Sequence, residues 1–426
     1  MGLATPETIG KLQAALHAKA KRTPDFRFYS LYDKMLREDV LSFAYRIAKS
    51  NRGVPGVDGQ TFGDIESYGV ERWLGELAEE LRNKKYCPRA VRRVLIPKSG
   101  QPGRVRPLGI PTIRDRVAQT AAMLILEPIF EADLPPEQHA YRANHSALDA
   151  VRQACYWVDR GHDEVVDADL SGYFDTIPHR ELLKSVSRRI SDGSMLHLIR
   201  MWLKMPVEET DRRGRVRRTT ENRDTGRGTP QGAPISPLLS NVYMRRFVVG
   251  WEVLGHEKRL QARVINYADD LVICCRGTGS EASQMMRQMM SKLRLTVNEA
   301  KTRVCSARSE SFEFLGYTIG QFRARMTGRA YIGMLPSRKS ESAICREITD
   351  YTSRRMLWKD LPELVSELNR MLVGWSNYFS LGAVDRVYRR IDQHVRYRLR
   401  RWLRKKHKVS ISVYRRWPDA FLKRVG

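Results

Sequence analysis

From Val264 to Cys275 the chain reads VINYADDLVICC, two adjacent carboxylates, Asp269 and Asp270, set between apolar runs. Consecutive side chains on a regular strand point to opposite faces, so both acids can approach one site only where the backbone turns. RVINY and LVICC are good strand formers with β-branched residues on both sides, and a hairpin with the acids at its tip is the economical solution. For an isolated Asp-Asp a plain polar turn is the alternative. A second acidic strand changes the balance. In DEVVDADLSGYFDTI (Asp163 to Ile177), Val166, Ala168 and Leu170 share one strand face, and Asp167 and Asp169 share the other. Asp169, Asp269 and Asp270 converging from two strand elements would repel one another unless cations lay between them. Mg²⁺ suits such a site, because it takes a few carboxylates plus water and substrate phosphates. A pair of such ions stabilises both attacking and leaving oxygens in phosphoryl transfer.

The charge agrees with a phosphate substrate. Against 48 Asp and Glu stand 75 Lys and Arg, a formal +27, far more than solubility needs. Nucleic acid is the first candidate partner. A membrane surface is a weaker one, because the basic residues are spread along the chain and not gathered in an anchor. No stretch approaches the roughly 20 apolar residues that span a bilayer, and the N-terminus lacks a leader's apolar core, so a cytoplasmic location is expected. With 426 residues, 42% of them hydrophobic, the chain can build two or three cores. The six cysteines, Cys87, Cys155, Cys274, Cys275, Cys305 and Cys345, form no CxxC pair, and buried free thiols are expected.

Along the chain, apolar spacing predicts an early helix over Leu31 to Ile47, then an ordered loop in the Gly/Pro-rich NRGVPGVDGQTF. RRVLI and RVRPLGI read as strands of a basic hairpin around a Gly/Pro turn. Helical spacing returns in HRELLKSVSRRI and SQMMRQMMSKLRL, and the alternation predicts an α/β or α+β core. After about Arg329 the chain is expected to become helical and very basic. Between Arg386 and Lys408, Val387, Ile391, Val395, Leu399 and Leu403 mark the packed face of one helix. Arg and Lys crowd the rest, with Tyr388, Tyr397 and Trp402 among them, which suits RNA contact.

YADD resembles the catalytic hairpin of reverse transcriptases, and DADLSGYFDTI resembles their first catalytic strand. IPKSGQPGRVRPLGIP, YRANHSALDAV, GTPQGAPISPLLSNVYM, LTVNEAKTRV and FEFLGY continue the likeness in family order. Within that superfamily the chain is most similar to group II intron-encoded proteins: NRGVPGVDGQTF resembles their N-terminal extension, and the segment from ELNRMLVGWSNYF to LRRWLRKK their maturase region. The resemblance implies an α+β right-hand polymerase, with fingers and palm of antiparallel sheet plus helices followed by an α-helical thumb. The expected divisions are 1–50 (N-terminal helical extension), 51–160 (fingers), 161–325 (palm), 326–408 (thumb and maturase) and 409–426 (a basic tail, a possible DNA-binding remnant).

It also implies roles. Asp169, Asp269 and Asp270 would be the catalytic metal ligands for two Mg²⁺ ions, aided by the Leu170 carbonyl. Phe174 would lie under the incoming sugar and exclude a 2′-hydroxyl, with core packing as the alternative, and Asp175 beside it would be structural. Lys98 and Arg106 would hold the triphosphate, with Arg104 an open alternative to Arg106. Gln231 in GTPQG would approach nucleotide and template, and Lys301 would assist pyrophosphate departure or be a surface lysine. Leu315 and Gly316 would form the primer grip. Most of GWSNYF is expected in the thumb core, and Arg398, Arg400, Arg401 and Arg404 are candidates for phosphate contact. Expected partners are intron RNA, an RNA template, a DNA primer or target and deoxynucleoside triphosphates, the chain being a monomer or homodimer. Expected activities are cDNA synthesis, splicing of the intron and its retrohoming. No metal-binding Cys and His pairs follow Cys345, which resembles the compact lineage without a C-terminal endonuclease. The alternatives are a domesticated reverse transcriptase of the retron or phage-defence type and a splicing-only maturase.

Overall fold

In the computed structural model, residues 3–97, 105–211, 213–324, 326–410 and 412–425 are described. In chain order the strands are β1 (Val91–Pro97), β2 (Val105–Ile110), β3 (Glu164–Asp169), β4 (Val207–Thr210), β5 (Val216–Thr219), β6 (Arg263–Tyr267), β7 (Asp270–Cys275), β8 (Arg303–Ser306), β9 (Phe312–Phe314), β10 (Tyr317–Arg323) and β11 (Ala330–Pro336). They form three sheets, ordered β2-β1-β4-β5, β6-β7-β3-β8 and β11-β10-β9. The α+β class is as expected.

The sheet β6-β7-β3-β8 is antiparallel throughout and carries apolar cover on both faces. Because side chains alternate, Val166, Ala168, Leu271 and Ile273 enter one core with helices Ile113–Glu131 and Ser236–Val253. Val165, Ile265, Val272 and Cys274 enter a second core with helix Ala147–Asp159 and the β9–β10 hairpin. This two-sided burial explains why VINYADDLVICC is apolar on consecutive positions and not alternating. Four of the six cysteines are buried there as free thiols, while Cys87 is exposed and Cys345 intermediate. A third core joins helices Arg338–Tyr351, Leu361–Tyr378 and Asp385–Lys406. Among the described residues no helix is long and apolar enough to cross a membrane.

Three expectations need correction. The helix over Leu31 to Ile47 is two helices, Tyr32–Met35 and Glu38–Ser50, with Arg37 extended between them. The start of the first helix is fixed from a distance: the buried Asp192 carboxylate accepts the Leu31 and Tyr32 amides, both at 2.8 Å, as well as capping Met195 at 3.0 Å. β4 and β5 fall within the expected 161–325 division yet join the sheet of β1 and β2, because β4 pairs in parallel with β1. The onset of helix after Arg329 is delayed by β11, whose pairing with β10 crosses the expected 325/326 boundary.

The Asp192 clasp makes a stability prediction. Asp192→Ala strands three amides, each worth about 1–3 kcal/mol when buried, so a loss of about 3 kcal/mol or more is expected in urea denaturation followed by tryptophan fluorescence. Asp192→Asn, which keeps an acceptor, loses less. A midpoint for the alanine variant equal to the parent's would show that the clasp does not anchor the N-terminal segment.

Candidate active site

Strands β6 and β7 are joined by the two residues Ala268 and Asp269, and Tyr267 pairs with Asp270 across the turn. Ala268 has φ +57° while Asp269 is not in the left-handed region, the φ signs of a II′ hairpin turn. That position favours glycine, so an alanine there holds backbone strain. Asn266, buried beside the turn, clasps it: its Nδ2 donates to the carbonyls of Ala268 at 2.9 Å and Asp270 at 3.3 Å.

The third acid arrives by register. β3 pairs with β7 so that Asp169 sits opposite Asp270, and the Leu170 amide donates to the Asp269 carbonyl at 3.3 Å. The segment after helix Gly279–Lys292 closes the other side. The Asn298 amide donates to the Asp169 carbonyl at 2.8 Å, Asn298 Nδ2 to Asp169 Oδ2 at 3.0 Å, and Lys301 Nζ to the same oxygen at 2.8 Å. Asp167 shares the strand face of Asp169 and lies 3.6 Å from the Arg303 guanidinium.

These carboxyls oppose one another's ionisation. Burial, then the charges of Asp269 and Asp169, push Asp270 up to about 7. Burial is also the main cause for Asp269, which is raised, with Asp169 adding to it and Arg106 and Lys301 opposing. Asp167 is pushed up to about 6 by burial, partly offset by Arg303. Among the described residues no three or more His, Cys, Asp or Glu side chains are gathered tightly enough to hold a metal as they stand. The donor set nonetheless suits a hard cation: all oxygen, mutually repulsive, with the Lys301 ammonium supplying positive charge on Asp169.

Phe174 is 9% exposed and held from both sides. Its carbonyl accepts the Thr229 amide at 2.7 Å, and its ring packs edge-on against Tyr141, with centroids 6.2 Å apart. Gly109 of β2 donates to the Gln231 carbonyl at 2.6 Å, and a Cβ on Gly232 (φ +101°) would lie 2.4 Å from the Gly109 carbonyl oxygen. This backbone contact explains the glycines around Gln231: fingers strand and GTPQG loop approach too closely for side chains. Behind the loop a cavity of about 330 Å³ is lined by Arg93, Asp175, Arg227 and Gln231. Asp175 lines that cavity, and burial raises its pKa while Arg93 opposes the shift. Arg106 is exposed on β2, opposite Ile96. Lys98 and Arg104 lie outside the described residues.

Leu315 and Gly316 form the β9–β10 turn, both at positive φ, as a type I′ turn requires. The thumb grips this turn. Tyr378 donates its hydroxyl to the Leu315 carbonyl at 2.8 Å, Tyr317 donates to the Tyr378 carbonyl at 2.5 Å, and Ser340 Oγ donates to the Gly316 carbonyl at 3.0 Å. Trp375, Tyr378 and Phe379 of GWSNYF therefore form the joint between thumb and palm.

The basic helix divides its arginines. Arg400 is buried, donating to the Trp417 carbonyl at 3.0 Å and paired with Asp419. Arg398 is tied to Thr352 Oγ1 and the Thr349 carbonyl, both at 2.9 Å. Both guanidiniums are committed inside the fold, which corrects the expectation that they face phosphate. Arg401 and Arg404 are exposed. Residue patterns also missed Tyr141, Asn266 and Asn298. Tyr141 and Asn298 lie within the blocks YRANHSALDAV and LTVNEAKTRV, which was the available signal.

The raised carboxyls carry a pH signature. Asp270 holds in the folded state a proton that an unfolded Asp loses near pH 4. Its stabilising contribution is complete below pH 4 and is lost as pH rises through about 7. The protein stripped of metal by a chelator should therefore lose stability between pH 4 and 7, at up to about 1.4 kcal/mol per pH unit from this group. Asp270→Asn should flatten that fall, and a variant with the parent's pH profile of melting temperature would contradict the assignment.

Comparison with known proteins identifies the family. The reverse transcriptase (RNA-dependent DNA polymerase) family model matches residues 96–319, and the group II intron maturase-specific domain matches 342–418. Protein YkfC of Escherichia coli is 31% identical over 376 residues, 78% of this chain and 94% of the relative. The group II intron-encoded protein LtrA of Lactococcus lactis is 27% identical over 365 residues, covering 71% of this chain and 58% of LtrA. A putative COX1/OXI3 intron 1 protein of Saccharomyces cerevisiae is 26% identical over 347 residues, 68% of this chain and 39% of that protein. The chain belongs to the reverse transcriptases, RNA-directed DNA polymerases, in the branch encoded by group II introns.

Proposed function

We propose that the protein copies its intron RNA into DNA during retrohoming, by nucleotidyl transfer with two Mg²⁺ ions, and binds that RNA to promote splicing. The observation that carries the catalytic reading is the register that sets Asp169 against Asp270 beside the Asp269 turn. Asp169, Asp269 and Asp270, with the Leu170 carbonyl, would hold the metal, which when bound activates the primer hydroxyl and neutralises the phosphate charge. Lys301, bonded to Asp169 Oδ2, sits where it can pass to a departing pyrophosphate once a cation replaces it. Arg106 and Lys98 would hold the triphosphate, Phe174 the sugar, Gln231 the base and template, and the Leu315–Gly316 turn the primer end. The divisions we propose are those expected from the sequence, with β4 and β5 joined to the fingers sheet and β11 to the palm's β10.

The maturase reading draws support from the maturase-specific match at 342–418 and from the exposed cations of helix Asp385–Lys406. Arg401 and Arg404 are its phosphate-contact candidates. LtrA is described as a group II intron-encoded protein, and intron RNA is accordingly the RNA partner proposed here.

Primer extension on an RNA template with Mg²⁺ tests the catalytic reading. Asp269→Asn should reduce cDNA synthesis by about a hundredfold to a thousandfold while the affinity for structured RNA stays within about twofold, because removing charge stabilisation at a reacting centre costs ~3–4 kcal/mol. Equal loss of both would merge the two roles. Affinity for structured RNA should also fall by orders of magnitude between 50 and 200 mM salt if roughly six or more phosphates are contacted. A flat salt profile would remove Arg401 and Arg404 as phosphate contacts.

A further inference from the structure

Tyr141 stands out against its surroundings. It has φ +58° and is 49% exposed, yet its neighbour Ala140 is 1% exposed. The loop that carries it is bonded in place at every other residue. The Asn266 amide donates to the Glu137 carbonyl at 2.8 Å and the His139 amide to the Asn266 carbonyl at 3.0 Å. Asn241 Nδ2 donates to the Ala140 carbonyl at 2.7 Å, and Gln138 Nε2 to the Asn241 carbonyl at 3.2 Å. Arg142 donates to the carbonyls of Pro135 at 2.7 Å and Gln138 at 2.6 Å and pairs with Glu131 at 2.7 Å. The same Asn266 clasps the carboxylate turn through its side chain. Loop and turn are thus one rigid unit, and a large side chain is held in a left-handed backbone that only such over-determination sustains.

The ring so held meets Phe174 edge to face, at 6.2 Å between centroids and 77° between planes. Its hydroxyl belongs to the charged site. Burial and then Asp269 raise its pKa, and Arg106 opposes the shift. Phe174 has a second aromatic neighbour, Tyr173 at 5.7 Å, but Tyr173 is fully inside the core and donates to the Ser240 carbonyl. Tyr141 is the neighbour on the open side.

We propose that Tyr141 is a further specificity-determining residue for the incoming nucleotide: its ring fixes that of Phe174 from the open side, and the two rings together exclude a 2′-hydroxyl. This rests on the assignment of Phe174 to the sugar. Phe174 alone could tilt away from an added oxygen, whereas a ring clamped between Tyr173 and Tyr141 cannot move without breaking an edge-to-face contact.

The test is incorporation of dGTP against GTP on a poly(rC) template with an oligo(dG) primer. It is run for the parent and for Tyr141→Phe, Tyr141→Ala, Tyr141→Gly and Phe174→Ala, with melting temperatures alongside. Tyr141→Ala should raise the ratio of kcat/KM for GTP to that for dGTP about tenfold, the scale of one aromatic pair. Tyr141→Phe, which keeps the ring, should stay within about twofold of the parent. Tyr141→Gly should relax selection as the alanine does without a fall in melting temperature, since glycine accepts the positive φ. A parental ratio in Tyr141→Ala with a raised ratio in Phe174→Ala overturns the role of Tyr141 alone. A parental ratio in Phe174→Ala overturns the sugar assignment beneath it. Equal loss of both substrates in Tyr141→Ala at an unchanged melting temperature would place Tyr141 in catalysis and overturn the selective role.

Discussion

The antiparallel pairing of β3 with β7 is the constraint on which the rest of the site depends. It sets Asp169 opposite Asp270 and brings the Leu170 amide to the Asp269 carbonyl. A slip of one residue would turn Asp169 to the other face and put Ala168 or Leu170 in its place. Such a slip is opposed by two cores at once, because alternate residues of β3 and β7 are committed to opposite apolar clusters. The polymerase geometry is held by hydrophobic burial on both sides of one sheet.

That scaffold sustains an arrangement that is unfavourable locally. Carboxyls are crowded where burial and mutual repulsion raise the pKa of Asp269, Asp270 and Asp167. Ala268 and Tyr141 both sit at positive φ, and Asn266 holds Ala268 through its side chain and the loop that carries Tyr141 through its backbone bonds to Glu137 and His139. Strain and unsatisfied charge at the same point are what a site awaiting a cation and a polyanionic substrate should display. Lys301 and Asn298 hold Asp169 meanwhile.

The thumb is connected to this centre by its own short chain of bonds. Tyr317 donates its hydroxyl to the Tyr378 carbonyl and Tyr378 donates its own to the Leu315 carbonyl, joining the β9–β10 turn to the end of helix Leu361–Tyr378. The aromatic side chains of GWSNYF thus serve the joint, while Arg401, resting on Tyr397, and Arg404 stay exposed on the surface of the neighbouring helix.

Local chemistry was legible in the chain itself. Strand-forming runs around Asp269 and Asp270, the acids of β3, the glycines of GTPQG and the apolar stripe of the basic helix all follow from side-chain type and spacing. So does the excess positive charge that calls for a nucleic acid. Long-range pairing was not legible, because it depends on partners far away in sequence. Asp192 caps a helix 160 residues upstream, and β4 enters a sheet by joining β1. Arg398 and Arg400 look like their exposed neighbours until Thr349, Thr352 and Asp419 claim them. Sequence alone determined which groups this protein brings to its chemistry, since composition and periodicity are local properties. Only the tertiary structure decided which of them meet, which are buried as struts and which remain free, because burial and hydrogen-bond partners exist only once the chain has closed on itself.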